Sequence, residues 1–151
     1  MNPTVLLCTD GSDAAIEALQ ACRPLLASAE RTILVTVESS VDPDSEAGVG
    51  FTLTSSSTDQ DEQIVTGGDR LAMMHLDRTA AALGLGDDVE FTAVVGRPGH
   101  AICEFAASVP ASVIVMGTSG RGGVRRAFMG STSDYVIRNA TCPVLVQAVG
   151  H

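Results

Sequence analysis

Two glycine-rich elements near the carboxyl end hold the residues best suited to chemistry. The first is Met116-Gly117-Thr118-Ser119-Gly120-Arg121-Gly122-Gly123; the second is Phe128-Met129-Gly130-Ser131-Thr132, where a helix opens. Glycine removes the Cβ that keeps a bulky anion from backbone N–H groups, and a helix amino terminus adds unpaired donors with about half a positive charge. Ser131 and Thr132 bring hydroxyls to the same spot. Arg121, Arg125 and Arg126 lie between the two elements, where they can neutralise a polyphosphate or grip it bidentately. The bland alternative is a flexible linker.

Other phosphate and nucleophile templates fail on these residues. Gly120, Gly122 and Gly123 do not complete G-x-G-x-x-G, because position 125 is Arg and the loop follows the fourth predicted strand instead of the first, which disfavours a dinucleotide fold. Gly117-Thr118-Ser119-Gly120-Arg121 misses the nucleophile elbow by one place, so Ser119 is not read as an acylating serine. All nine basic residues are arginines. Without lysine there is no Walker lysine, no Schiff base and no lysine general base. His100, at a helix start after the third strand, is a candidate base, set against a plain helix-terminal role; His75 and His151 are expected to be solvated. His100 and Cys103 are one helical turn apart, two ligands lacking a third. Cys8, Cys22, Cys103 and Cys142 form no C-x-x-C pair and sit in apolar patterns, so they read as buried free thiols.

The elements that must position these residues alternate strand and helix. Val5-Leu6-Leu7-Cys8 is an apolar run ending in Thr9-Asp10-Gly11-Ser12: a strand buried on both faces, then a turn and a helix N-cap, for which Asp10, Ser12 and Asp13 all qualify. Ala14, Ala15, Ala18, Leu19, Cys22, Leu25 and Leu26 recur at helical spacing to about Ser28, with Pro24 predicting a kink or early end. Ile33–Val37 is a second strand. From Ser39 to Thr58 the polar composition predicts a mobile inserted loop. Gln60–Leu85 follows as a helix, weakened at Gly67-Gly68, with Ile64, Leu71, Met74 and Ala81 as its apolar stripe. Strands at Val89–Val95, Ser112–Met116 and Pro143–Gln147 and helices at Gly99–Ser108 and Ser131–Asn139 complete the chain. Such alternation predicts one doubly wound α/β domain over residues 1–151, with helices on both faces of a parallel sheet and a crevice at the strands' carboxyl ends.

Charge and composition narrow the partners. The chain of 151 residues is 45% hydrophobic and 18% charged, long enough for a single core without disulfide or metal. Its net charge of −9 and 3% aromatic content argue against nucleic acid as a partner. Residues 1–90 carry sixteen acids and four arginines, whereas residues 91–151 carry only Glu104 and Asp134 against five arginines. An anionic ligand is therefore expected in the carboxyl-terminal part. No apolar run reaches the roughly 20 residues of a membrane span, and Met1-Asn2-Pro3 does not open a signal sequence, so a cytoplasmic protein is expected.

The spacing glycine, two residues, glycine, nine residues, glycine and serine, met by Gly117, Gly120, Gly130 and Ser131, resembles the nucleotide motif of the universal stress protein family in its ATP-binding branch. Thr9-Asp10-Gly11-Ser12, Val35-Thr36-Val37, Val95-Gly96-Arg97-Pro98 and Cys142-Pro143-Val144-Leu145-Val146 fall in family order along the whole chain. Thr36 stands where the family usually has a histidine. The resemblance implies a five-stranded sheet in order 3-2-1-4-5 that holds ATP across strands one and four. It implies that Asp10, in the turn begun by Thr9, meets the adenosine part and that Val37 contacts adenine through its backbone. Met116 and Gly117 would line the ribose side, and Gly120, Gly130, Ser131 and Thr132 would hold the phosphates, with Arg121 and Gly122 in the same loop. Mg2+ bridging the phosphates would add neutralisation, Asp13 being a candidate ligand. It further implies a homodimer through the last strand, whose apolar Val144, Leu145 and Val146 would otherwise leave an open edge.

Three functions are consistent with these features: a regulatory ATP-binding module with little or slow hydrolysis and an unidentified protein partner, an ATP-consuming enzyme of the adenylating or ATP-pyrophosphatase kind, and a structural module with an empty crevice. The second has only Asp10-Gly11-Ser12-Asp13 in its favour, a turn without the glycine pair that pyrophosphate binding uses. Phosphoryl transfer needs a nucleophile, an orienting base and charge neutralisation, and only the last is evident.

Overall fold

Each residue of Thr4–Cys8 is buried, as a strand covered on both faces requires. The computed structural model describes residues 3–38, 51–55, 67–118 and 130–148, residues 51–55 and 67–69 by their backbone alone. Its elements are β1 (Thr4–Cys8), α1 (Asp13–Cys22), β2 (Arg31–Glu38), β3 (Phe51–Ser55), α2 (Gly67–Leu83), β4 (Val89–Val95), α3 (Pro98–Ser108), β5 (Val113–Gly117), α4 (Ser131–Asn139) and β6 (Val144–Gln147), with a 3-10 turn at Arg23–Leu26 after α1.

The five strands expected from the sequence, β1, β2, β4, β5 and β6, are all parallel and lie in the order β4-β2-β1-β5-β6, which is 3-2-1-4-5 counted among themselves. Strand β3 is an addition: it pairs antiparallel with β4 and makes a sixth strand at that edge. It corrects part of the loop expected over 39–58. Polar composition hides such a strand because an edge strand needs only one hydrogen-bonded side, and the alternating Thr52 and Thr54 are β-branched.

Period-two alternation sends successive residues to two separate apolar layers. Leu6, Cys8, Ile33, Val35, Val94, Ile114 and Met116 pack with Ile102, Phe105 and Ala106 of α3 and Val136 of α4. Val5, Leu7, Leu34 and Val115 pack on the opposite face with Leu19 and Cys22 of α1 and Leu76, Ala80 and Leu83 of α2. Helix α3 approaches α4 closely: a Cβ on the buried Gly99 would lie 2.8 Å from Tyr135 Cβ, so this glycine sets how near α4 sits.

Two apolar stripes need correction, that of α2 and the tail of that of α1, while the early end of α1 at Pro24 is as predicted. The buried face of α2 is Ala72, Leu76, Thr79, Ala80 and Leu83, while Leu71 and Met74 are 48% and 64% exposed and Ala81 is exposed too; Ile64 lies outside the described residues. The inward face contains Thr79 and two alanines, so a search for large apolar side chains picks the neighbouring stripe. Helix α1 ends at Cys22, with Pro24 inside the following 3-10 turn. Leu25, beyond that break, is 71% exposed instead of continuing the stripe. Among the described residues no helix is long and apolar enough to cross a membrane.

Candidate functional site

Parallel register brings the expected site residues to one edge of the sheet. Cys8 is level with Val35, and Leu7 with Val115, so Asp10, Val37 and Gly117 leave β1, β2 and β5 at their common carboxyl side. Met116 is buried and Val37 partly buried, both in the layer shared with α3 and α4. Thr9 extends the ladder, its N–H donating to the Val35 carbonyl at 2.9 Å.

Helices α1, α3 and α4 follow β1, β4 and β5 and so begin at this edge, and their amino ends differ. Helix α1 is capped by its own sequence: Ser12 Oγ accepts from the Ala15 N–H at 3.1 Å, and Asp10 Oδ1 accepts from the Ser12 N–H at 2.9 Å. Of the three candidate caps, Ser12 is therefore the N-cap and Asp10 shapes the turn before it. Helix α4 has Gly130 at its N-cap and no side-chain capping bond. Helix α3, with Arg97 at its N-cap, has no side-chain capping bond either. Orphan N–H groups of a first turn are met by side chains, water or ligands, so an anion at this edge finds open donors at α4 and α3 and filled ones at α1. The carboxylates of Asp10 and Asp13 reinforce that contrast.

The amino end of α4 is fastened to the end of β5. The Gly130 N–H donates to the Thr118 carbonyl at 2.6 Å, and the buried Ser133 hydroxyl reaches the carbonyls of Gly130 (3.0 Å) and Thr118 (3.3 Å). Gly117 and Gly130 are thus brought together as their spacing requires. Ser131 is exposed and Thr132 partly exposed beside them. Gly120, Arg121 and Gly122, with Arg125 and Arg126, lie outside the described residues. Ser133 was not singled out by the sequence motif, which stops at Thr132; its burial in the first turn of a polar helix is the mark of its role.

On the far side of the Asp10 turn, α2 contributes residues that no motif reveals. Gly11 has φ +76°, and the His75 ring packs against it so closely that a Cβ there would lie 2.5 Å from His75 Cδ2. His75 is therefore half-buried against the turn, not the solvated side chain its polar surroundings suggest. Arg78 donates to the Gly11 carbonyl at 2.8 Å and pairs with Asp13. Gly11, Ser12, Leu71, Met74, His75 and Arg78 line a shallow depression of about 350 Å³.

The remaining candidates for chemistry lie elsewhere. His100 is half-exposed on α3, with Nε2 3.2 Å from Glu104 Oε1 and its ring edge-on to Tyr135. Burial raises the thiols of Cys8, Cys22, Cys103 and Cys142, which are free, and so disfavours their thiolate forms. Cys8 and Cys22 are buried as expected, whereas Cys103 and Cys142 are only partly so. Among the described residues no three His, Cys, Asp or Glu side chains cluster to hold a metal ion.

Comparison with known proteins matches this arrangement. The sequence profile of the universal stress protein family covers residues 1–147. Universal stress protein MJ0531 of Methanocaldococcus jannaschii is 51% identical over 51 residues, 34% of this chain and 30% of that protein. Universal stress protein Slr1101 of Synechocystis is 35% identical over 69 residues, 46% of this chain and 64% of that protein. The matches thus span less than two thirds of these curated relatives' own length. Among solved structures, a universal stress protein in complex with cAMP is 25% identical with a TM-score of 0.60, covering 97% of both chains. The hypothetical protein MJ0577, solved as a structural-genomics test case of function assignment, superposes with a TM-score of 0.69 at 22% identity, covering 100% of this chain and 99% of that one. With the sheet order and a profile match over residues 1–147, this chain belongs to the universal stress protein family.

Proposed function

We propose that the protein is an ATP-binding regulatory module of the stress response, cytoplasmic, with slow hydrolysis at most. The observation that carries this is the uncapped α4 terminus tied to the end of β5, at the two ends of the glycine motif. Phosphates bind at Gly120, Gly130, Ser131 and Thr132, with Arg121 and Gly122 between them. The adenosine part lies across Thr9, Asp10, Val37, Met116 and Gly117. The relative solved with cAMP supports an adenine nucleotide as the ligand class. ATP has about 31 heavy atoms, and at ~0.3 kcal/mol per atom its binding free energy is about −9 kcal/mol, near micromolar and below cellular ATP levels. Mg2+ would neutralise the phosphates further; Asp13, engaged by Arg78, is a poor ligand for it.

Regulation is the reading that goes with this site: nucleotide at the β5–α4 junction changes the surface that a partner protein reads. The test is mass spectrometry of the denatured protein purified without added nucleotide, followed by a turnover assay. Bound ATP with negligible phosphate release is expected. Absence of any nucleotide, or steady cleavage near ~10 per second, would overturn this reading.

The protein further acts as a homodimer through β6, an edge strand whose four residues are all only partly buried. Light scattering at high micromolar concentration should give twice the chain mass of 15.5 kDa, and a monomeric mass would refute the pairing.

A further inference from the structure

We propose that Thr79 and Arg78 of α2 are positioning residues for the nucleotide, holding the Asp10 turn in its binding shape. The inference rests on the reading that Asp10 meets the adenosine part. Its basis is a hydrogen-bond chain whose direction is fixed by proton count. The Thr79 hydroxyl donates to the His75 carbonyl at 2.8 Å, one turn back along α2. A hydroxyl has a single proton, so in the buried 2.8 Å contact between Thr9 Oγ1 and Thr79 Oγ1 the donor is Thr9. Thr9 Oγ1 then accepts from the Gly11 N–H at 3.0 Å. The chain runs Gly11 N–H to Thr9 O–H to Thr79 O–H to His75 C=O, each member polarising the next.

Arg78 takes the other side of the same residue, donating to the Gly11 carbonyl at 2.8 Å while it pairs with Asp13. The Gly11 carbonyl is thereby held directly from α2, and its N–H through Thr9, which α2 holds in turn. The Gly11 N–H belongs to the peptide that follows Asp10, so fixing it fixes the direction in which the Asp10 side chain departs. Thr79 is completely buried and is the one hydroxyl on an inward face otherwise made of Ala72, Leu76, Ala80 and Leu83. Packing alone would be served as well by valine; what valine lacks is the link to Thr9. Removing the Thr79 hydroxyl leaves the Thr9 proton without an acceptor in a buried place, and the turn must shift to find one.

Calorimetric titration of the full chain with ATP tests this. Thr79→Val should weaken binding about tenfold or more, Thr79→Ser should stay within about threefold of wild type, and Arg78→Met should weaken it several-fold. In an Asp10→Asn background Thr79→Val should add almost nothing, because both changes act through one turn. Wild-type affinity in Thr79→Val, a Thr79→Ser loss as large as that of valine, or fully additive losses with Asp10→Asn would each overturn the proposal. Should Thr79→Val fail to fold, Arg78→Met, altered at an exposed side chain, decides: unchanged affinity refutes the role of α2. If wild type itself takes no ATP, the proposed function falls and this inference with it. If wild type binds and the variants bind equally well, this inference alone falls.

Discussion

Gly130→Val is expected to weaken ATP binding at least a hundredfold, about 2.7 kcal/mol or more, while leaving the fold in place. Gly130 sits at φ −61°, ψ 161°, an extended conformation open to any residue, so valine meets no backbone penalty there. Its N–H bond to Thr118 and its carbonyl bond from Asp134 involve the main chain alone and survive the change. The cost to folding is that of a poor N-cap, roughly 1 kcal/mol. The isopropyl group instead stands at the amino end of α4, where in the proposed site the phosphates would approach the Ser131 and Thr132 amides. Calorimetry alongside circular dichroism separates the two effects: a native spectrum with lost ATP heats is expected, and wild-type affinity would remove the glycine motif from the mechanism.

Gly11→Ala should cost the protein about 2–4 kcal/mol in a urea titration, a large share of the ~5–15 kcal/mol that holds a domain folded. Two causes combine. A φ of +76° costs a side-chain-bearing residue about 1–2 kcal/mol. The new Cβ would also lie 2.5 Å from His75 Cδ2 and 2.7 Å from Cγ, well inside contact distance, so the ring or the turn must move. Adding His75→Ala clears the contact and should return the packing part but not the conformational part. If Gly11→Ala unfolds at the wild-type urea concentration, the close seating of α2 on the turn is wrong. The same variant should weaken nucleotide binding, since the displaced turn includes Asp10.

These two glycines also show what could be read from the sequence. Gly130 belongs to a local pattern, glycine before a helix with hydroxyls following, and its chemistry is visible within a dozen residues. The strands were legible for a similar reason: a run such as Val5-Leu6-Leu7-Cys8 states its own burial. Gly11 was visible as a turn residue, but its partners His75, Arg78 and Thr79 are more than sixty positions away on a helix whose buried face was misread. Large apolar Leu71 and Met74 drew attention to the wrong side, and Thr79, a polar residue completely buried, had no local sign of its partner. Strand β3 escaped for a third reason, since what defines it is backbone pairing with β4, far along the chain, which no local pattern announces.

The two flanks of the sheet end differently, and this limits how copies can join. Beyond β4 lies β3, which runs against the other strands and slips register between Thr52 and Thr54. Such an irregularity twists the backbone and spoils the even row of donors and acceptors that an incoming chain would copy. Among the described residues the β6 flank has no such finishing strand. In the proposed homodimer, strand addition uses this flank; two β6 strands meeting across a twofold axis would each use up the other's vacancy, and assembly would halt at a closed pair without running on into a filament.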